Sequence, residues 1–126
     1  MKRSSALLAL PLLFAFGAVS HAACVYPQPP QSFPNGSKAT KEEMVAAMGQ
    51  VKEYSKAVQE TYLPCLEAEK NESAAALDNM DPEFTQKKAA IDEVHAKKHN
   101  AALDELQAVA ERWSTELKAY NAAQKK

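Results

Sequence analysis

The sequence predicts an all-α protein, a long antiparallel helical hairpin preceded by an extended proline-rich arm. Three observations predict it. Apolar residues recur at steps of three and four over residues 44–66 and again over 84–120, the spacing of one helix face. A turn signal, Asn79-Met80-Asp81-Pro82, separates the two stretches. No β-branched alternation follows the N-terminal segment, so no sheet is expected.

The chain opens with a positive head, Met1-Lys2-Arg3, and an apolar run from Ala6 to Val19. Ser20-His21-Ala22 then places small residues where a signal peptidase reads them. A bilayer span needs roughly 20 apolar residues, so the run reads as a cleavable signal peptide over residues 1–22 rather than an anchor. Cleavage is expected after Ala22, with Ala23 the alternative. The mature chain is then 104 residues, one domain in size. Loss of Lys2 and Arg3 takes the basic count from 15 to 13 against 16 acids, a net charge of −3. That charge disfavours nucleic acid, which is held by basic faces that release counterions. No second apolar run exists, so no membrane span is expected after cleavage, and the expected location is periplasmic or secreted.

Two cysteines, Cys24 and Cys65, stand 41 residues apart. Outside the cytoplasm thiols oxidise, and two cysteines allow one intramolecular pairing. Closing a loop of that length is worth about 4 kcal/mol by chain-entropy reasoning. Lipidation of Cys24 competes, because Ala22-Ala23 precedes it, but His21 stands where a lipoprotein signal carries a leucine-like residue.

Residues 23–39 form the arm. Four prolines fall between Cys24 and Gly36, which forbids helix and favours polyproline geometry. Val25, Tyr26 and Phe33 are apolar, so the arm is expected to lie on the domain. Asn35-Gly36 is a turn signal.

The helical domain, residues 40–126, begins at a capping box, Thr40-Lys41-Glu42-Glu43. Met44, Ala47, Met48, Val51, Tyr54, Val58, Tyr62, Cys65 and Leu66 then share one stripe. Pro64 interrupts the helix without breaking the phase, so a kink or short break is expected, with helix continuing to about Leu77. Gly49 falls on the outer face. Asp81 is a candidate N-cap and Pro82 stands at the first helical position. The last helix is expected from Pro82 to about Ala122, about 60 Å long if unbroken. Its stripe is Phe84, Lys88, Ile91, His95, His99, Ala102, Leu106, Val109, Trp113, Leu117 and Tyr120. Two helices alone bury little. Either the arm completes the core, or the first helix folds back at Pro64 into a three-helix bundle, or a homodimer makes a four-helix bundle with coiled-coil packing.

Candidate chemistry is sparse. There is no Gly-rich loop, no Cys-x-x-Cys and no thiol left over for a nucleophile, so no enzyme activity and no cofactor are expected. His95 and His99 are four apart, which sets both imidazoles on one helix face as two ligands of one metal require. Antiparallel pairing brings Glu69 to His95 and Tyr62 to His99, making Glu69, His95 and His99 a candidate three-ligand site. Lys88 and Glu69 fall on the same stripe, so a hydrated, weakly packed seam is the competing reading. Methionine–histidine haem ligation is not expected, since the pairing puts Met48 near Trp113.

The pattern Cys24…Pro-Gln-Ser-Phe-Pro-Asn-Gly (30–36)…Lys-Glu-Glu-Met (41–44)…Val-Lys-Glu-Tyr (51–54)…Tyr-Leu-Pro-Cys-Leu-Glu (62–67) resembles small exported helical proteins of Gram-negative bacteria with no assigned activity. The resemblance covers Cys24 to Glu67 and, weakly, the final helix. It implies a secreted helical protein with paired cysteines and transfers no functional residue.

The functional expectation is an exported, non-catalytic protein that binds or scaffolds an unknown protein or envelope component. Divalent-metal binding through His95 and His99 is the rival, and a periplasmic chaperone-like role the third. Mass spectrometry of protein recovered from the periplasm should give the mass from Ala23 less two hydrogens. Free thiols or a diacylglyceryl adduct on Cys24 would refute the disulfide.

Overall fold

The computed structural model describes residues 23–125; the expected signal segment, residues 1–22, lies outside them. The described residues contain no strand, and helices account for nearly everything after Ala39. Helix α1 spans Lys41–Lys56, a π-helical segment spans Ala57–Tyr62, α2 spans Leu63–Ala75 and α3 spans Phe84–Ala123. The first three run on as one rod, and α3 returns beside it. The all-α hairpin expected from the periodicity is therefore the fold.

The capping box forms as expected. Glu43 donates its amide to Thr40 Oγ1 at 3.2 Å, and the Thr40 amide donates to Glu43 Oε2 at 2.8 Å. At Pro64 the helix runs on without a break. Proline has no N–H and its ring crowds the carbonyl four residues back, here that of Glu60. The helix answers by widening the turn before it, so that Leu63 N–H bonds to Val58 O, five residues away. The widening also explains a spacing in the core. Tyr54, Val58, Tyr62 and Leu66 follow at steps of four, and all are buried. On a regular helix each such step drifts by about 40°. The π-helical turns cancel much of that drift and keep the four side chains facing α3.

These four pack with Ala102 and Val109 of α3 into the core cluster. Val58, Leu66 and Val109 are its largest fully buried side chains, each stabilising the fold by about 1.5–3 kcal/mol. Ala102 is small enough to let the rod and α3 approach closely where they face each other. Toward the hairpin turn the stripe loses its burial. Lys88 shares the angle of the core residues but is half-exposed and pairs with Asp92 at 2.9 Å.

The connection is built from aspartates. Asp78 Oδ1 accepts from Met80 N at 2.9 Å, and Asp81 Oδ1 accepts from Glu83 N at 2.7 Å. Asp81 thus orders the turn before α3, but it is not the N-cap the sequence suggests: that position is Glu83, and no side chain caps the helix. The regular helix begins at Phe84, two residues later than the sequence suggests, because Pro82 and Glu83 form a tighter first turn.

The arm is the third layer. Cys24 is disulfide-bonded to Cys65, with Cα atoms 5.8 Å apart. Tyr26 stands edge-on to Tyr62, ring centroids 4.9 Å apart, and its hydroxyl shares a 2.7 Å hydrogen bond with that of Tyr54. Burial and this bond together push the Tyr54 hydroxyl pKa up. Phe33 lies between Trp113, at 5.9 Å between centroids, and the Arg112 guanidinium, at 5.7 Å. Gly36 is buried against α3. Its amide donates to Glu116 Oε2 at 2.7 Å, and a Cβ there would stand 2.8 Å from the Glu116 carbonyl carbon and 2.9 Å from Tyr120 N. Both are helix backbone and cannot move aside. The arm therefore completes the core along one flank, as one of the three sequence expectations held, and the first helix does not fold back at Pro64.

Gly36→Ala should lower stability by about 1–3 kcal/mol, the cost of overpacking a fitted contact. Gly49 has open space around it, so Gly49→Ala should raise stability by about 0.5–1 kcal/mol. Urea denaturation of both variants checks the pair, and equal effects would contradict the arm's seat on α3.

Candidate functional site

Beyond Cys65, among the described residues, the rod and α3 face each other without the arm between them. Leu66, Glu69, Lys70 and Ser73 recur at helical spacing on the inner face of α2. Ala90, Ile91, Val94, His95 and Lys98 do the same on α3. Together they line an open cleft of about 250 Å³. Its base is apolar, with Leu66 buried and Val94 left about half-exposed. Its rim is charged.

Glu69 does not stand free in this cleft. Its carboxylate takes a short ion pair from Lys98 and a hydrogen bond from the Cys24 backbone. The Lys98 ammonium is the main reason its pKa is held below the usual carboxylate range. Glu69 thus joins the end of the arm to both helices. The carboxylate nearest His95 belongs instead to Glu67, whose Oε2 lies 3.2 Å from His95 Nε2. That distance would suit a hydrogen bond, yet Nε2 is buried and makes none. The two statements agree if the carboxylate lies off the direction in which the ring nitrogen bonds, and angle decides more than distance here. A buried ring nitrogen left without a partner is costly, by about 1–3 kcal/mol. His95 therefore offers the cleft an unused hydrogen-bonding group.

His99 lies one turn on, its ring centroid 5.8 Å from that of His95 and tilted by 34°. The structure brings the histidine pair together on one face, as the spacing predicted. It sets Glu69 in the same cleft but commits it to Lys98. Among the described residues, no group of three or more His, Cys, Asp or Glu side chains is arranged to hold a metal ion. Tyr62, expected beside His99, belongs to the core cluster with Ala102. Sequence reasoning missed Glu67 because it sits on the flank of α2 and reaches His95 only through its long side chain. It missed the cleft because the end of the arm, not any motif, opens it.

No protein-family model, curated protein or solved structure matches the chain. The resemblance to exported helical proteins rests on the residues quoted for it. Among the described residues no helix is long and apolar enough to cross a membrane.

Glu69 yields a pH prediction. Its folded-state pKa is depressed, so its contribution to stability is full above the ordinary glutamate value of about 4.3 and is lost as pH falls through the lower folded value. Glu69→Gln should be less stable at pH 7 and should lose less on acidification below about pH 4. Parallel acid-side denaturation curves would show that the Lys98 pair contributes nothing.

Proposed function

We propose that this is an exported, non-catalytic binding protein whose binding element is the cleft between α2 and α3. One observation carries the reading: the buried His95 Nε2, which makes no hydrogen bond and has the Glu67 carboxylate near it at 3.2 Å, set beside an apolar base of Leu66, Ile91 and Val94. Ligand pockets combine apolar walls with a few convergent polar groups, and this cleft has that composition on a small scale. Its size suits a short apolar body with one hydrogen-bonding head, whether a free small amphiphile or an apolar side chain beside a peptide carbonyl. His95 meets the head, while Lys70 and Ser73 stand at the open rim. The disulfide and the location expected from the signal segment accord with an exported binding protein.

A second reading has its own observation. His95 Nε2 and Glu67 Oε2, 3.2 Å apart without a hydrogen bond, are spaced as two ligands on neighbouring vertices of one Zn²⁺ site would be. On this reading His95 and Glu67 supply two ligands, and Glu69 stays with Lys98.

Titration followed by ¹⁵N–¹H NMR separates the two. With phenylacetate as probe, amides of residues 66–73 and 90–98 should shift, and Val94→Asp should weaken binding at least tenfold. With Zn²⁺, Glu67→Gln should weaken binding at least tenfold under the metal reading and leave it unchanged under the cleft reading. Phenylacetate shifts spread evenly over the surface, or indifferent to Val94→Asp, would refute the cleft.

A further inference from the structure

The charged groups around the cleft are unequally matched. Glu69 takes Lys98 and the Cys24 amide, and Asp92 takes Lys88 at 2.9 Å. Both carboxylates are held below their ordinary pKa, chiefly by those lysines. Lys70 and His95 are served differently, because both turn to one carboxylate, that of Glu67. Its Oε1 lies 3.7 Å from Lys70 Nζ, and its Oε2 lies 3.2 Å from His95 Nε2. Neither contact is a good hydrogen bond. The first is too long, and the buried His95 Nε2 makes none. The tether explains the poor fit. Glu67 stands on the flank of α2, three residues before Lys70, and its side chain is 52% exposed, so its carboxylate meets the two donors only from the side.

We propose, on the reading that the cleft binds a ligand, that this ligand is a carboxylate carried on a short apolar body, and that Glu67 holds the carboxylate's place until it arrives. One ligand oxygen accepts from Lys70 Nζ. The other accepts from His95 carrying hydrogen on Nε2. The apolar body lies on Leu66, Ile91 and Val94, which line the same cleft. The Glu67 side chain, already half in water, turns out to solvent.

Three features select this chemistry. The place beside the two donors is already taken by a carboxylate. A carboxylate without Glu67's tether is free to align with both donors, and charge-assisted hydrogen bonds of good geometry are about twice as strong as neutral ones. Only an anion replaces the charge that Lys70 loses when Glu67 turns away. A neutral amide head leaves that charge unmatched, and an ammonium head would face both Lys70 and Lys98, which stand on the cleft lining. A carboxylate of this kind ends a free organic acid or a peptide chain with an apolar last residue, and both present the same head.

Titrations at neutral pH of the mature disulfide-bonded protein test it, read from the amide shifts of residues 66–73 and 90–98. The probes are phenylacetate, phenylacetamide and phenethylamine, which share one apolar body and differ in the head. Phenylacetate should bind tighter than either of the others by about tenfold or more. Glu67→Gln removes the competing carboxylate and should tighten phenylacetate by about threefold or more, with phenylacetamide unchanged. Lys70→Gln, at a partly exposed position, should erase the preference for phenylacetate over phenylacetamide and leave the helical circular dichroism as it was. A peptide, acetyl-Ala-Phe with its C-terminal carboxylate free, separates the two sources: tighter binding than phenylacetate assigns the cleft to a chain end, weaker binding to a free acid. Equal cleft shifts with phenylacetate and phenylacetamide would overturn the carboxylate head and leave the cleft standing as a binding site. Tighter binding of phenethylamine would do the same. Weaker phenylacetate binding in Glu67→Gln would overturn the displacement, and no cleft shifts with any probe would overturn both readings.

Discussion

Two antiparallel helices touch along a line, and a line of contact leaves most of each apolar stripe in water. Here the constraint is met by fixing a strip of extended chain along the groove between the helices. The Cys24–Cys65 bond anchors that strip at one end, and Gly36, wedged against the α3 backbone, anchors it at the other. Between the anchors, Tyr26 and Phe33 are held where they bury against Tyr62 and Trp113. The dimensions match. In polyproline geometry the twelve steps from Cys24 to Gly36 span about 37 Å, and the helical rod from Lys41 to Cys65 rises about 36 Å. The arm's backbone needs few partners from the helices because polyproline chain is satisfied by solvent; its side chains supply the packing. The disulfide removes about 4 kcal/mol of loop-closure entropy from the unfolded chain. It also makes each aromatic contact of the arm a contact within a tethered strip, so the ordering cost is met once.

Much of this was legible in the sequence. The capping box at Thr40 and most of the stripe from Met44 to Leu66 follow from local spacing that tertiary packing did not override, although Met48 on that stripe is exposed. Three features were not legible, each for a physical reason. Pro64 was readable as a disturbance, but its resolution as π-helical turns depends on the fit of Tyr54, Val58, Tyr62 and Leu66 to α3. A wheel drawn at 100° per residue cannot show that fit. The importance of Gly36 is invisible locally, because its backbone angles are ordinary and its constraint comes from a helix 80 residues away. Glu69 stands in one cleft with His95 as expected, but the carboxylate nearest the ring is that of Glu67, since a register estimated from the turn places backbones. It does not place long side chains. Glu69 is drawn to Lys98, and Glu67 swings in from the flank.

The two surfaces left open are both consequences of the arm's course. The arm runs along one flank, so the opposite flank keeps Met48, Leu103 and Leu117 uncovered. Among the described residues the arm reaches no farther than Cys65, and the cleft beside His95 lies beyond that point. Polar groups differ between the two in a telling way. On the uncovered flank, Lys52 of α1 falls between Met48 and Val45 at about 100° per residue. The cleft keeps Glu69, Lys98, Lys70 and the His95 nitrogen that makes no hydrogen bond around a small apolar base, as suits a site that must discriminate by hydrogen bonding. Among the described residues, the strap's length and side alone therefore decide which faces of the two helices are covered and which are left open. The Glu69 carboxylate, bonded to both Cys24 and Lys98, marks the boundary where the covered core ends and the open cleft begins.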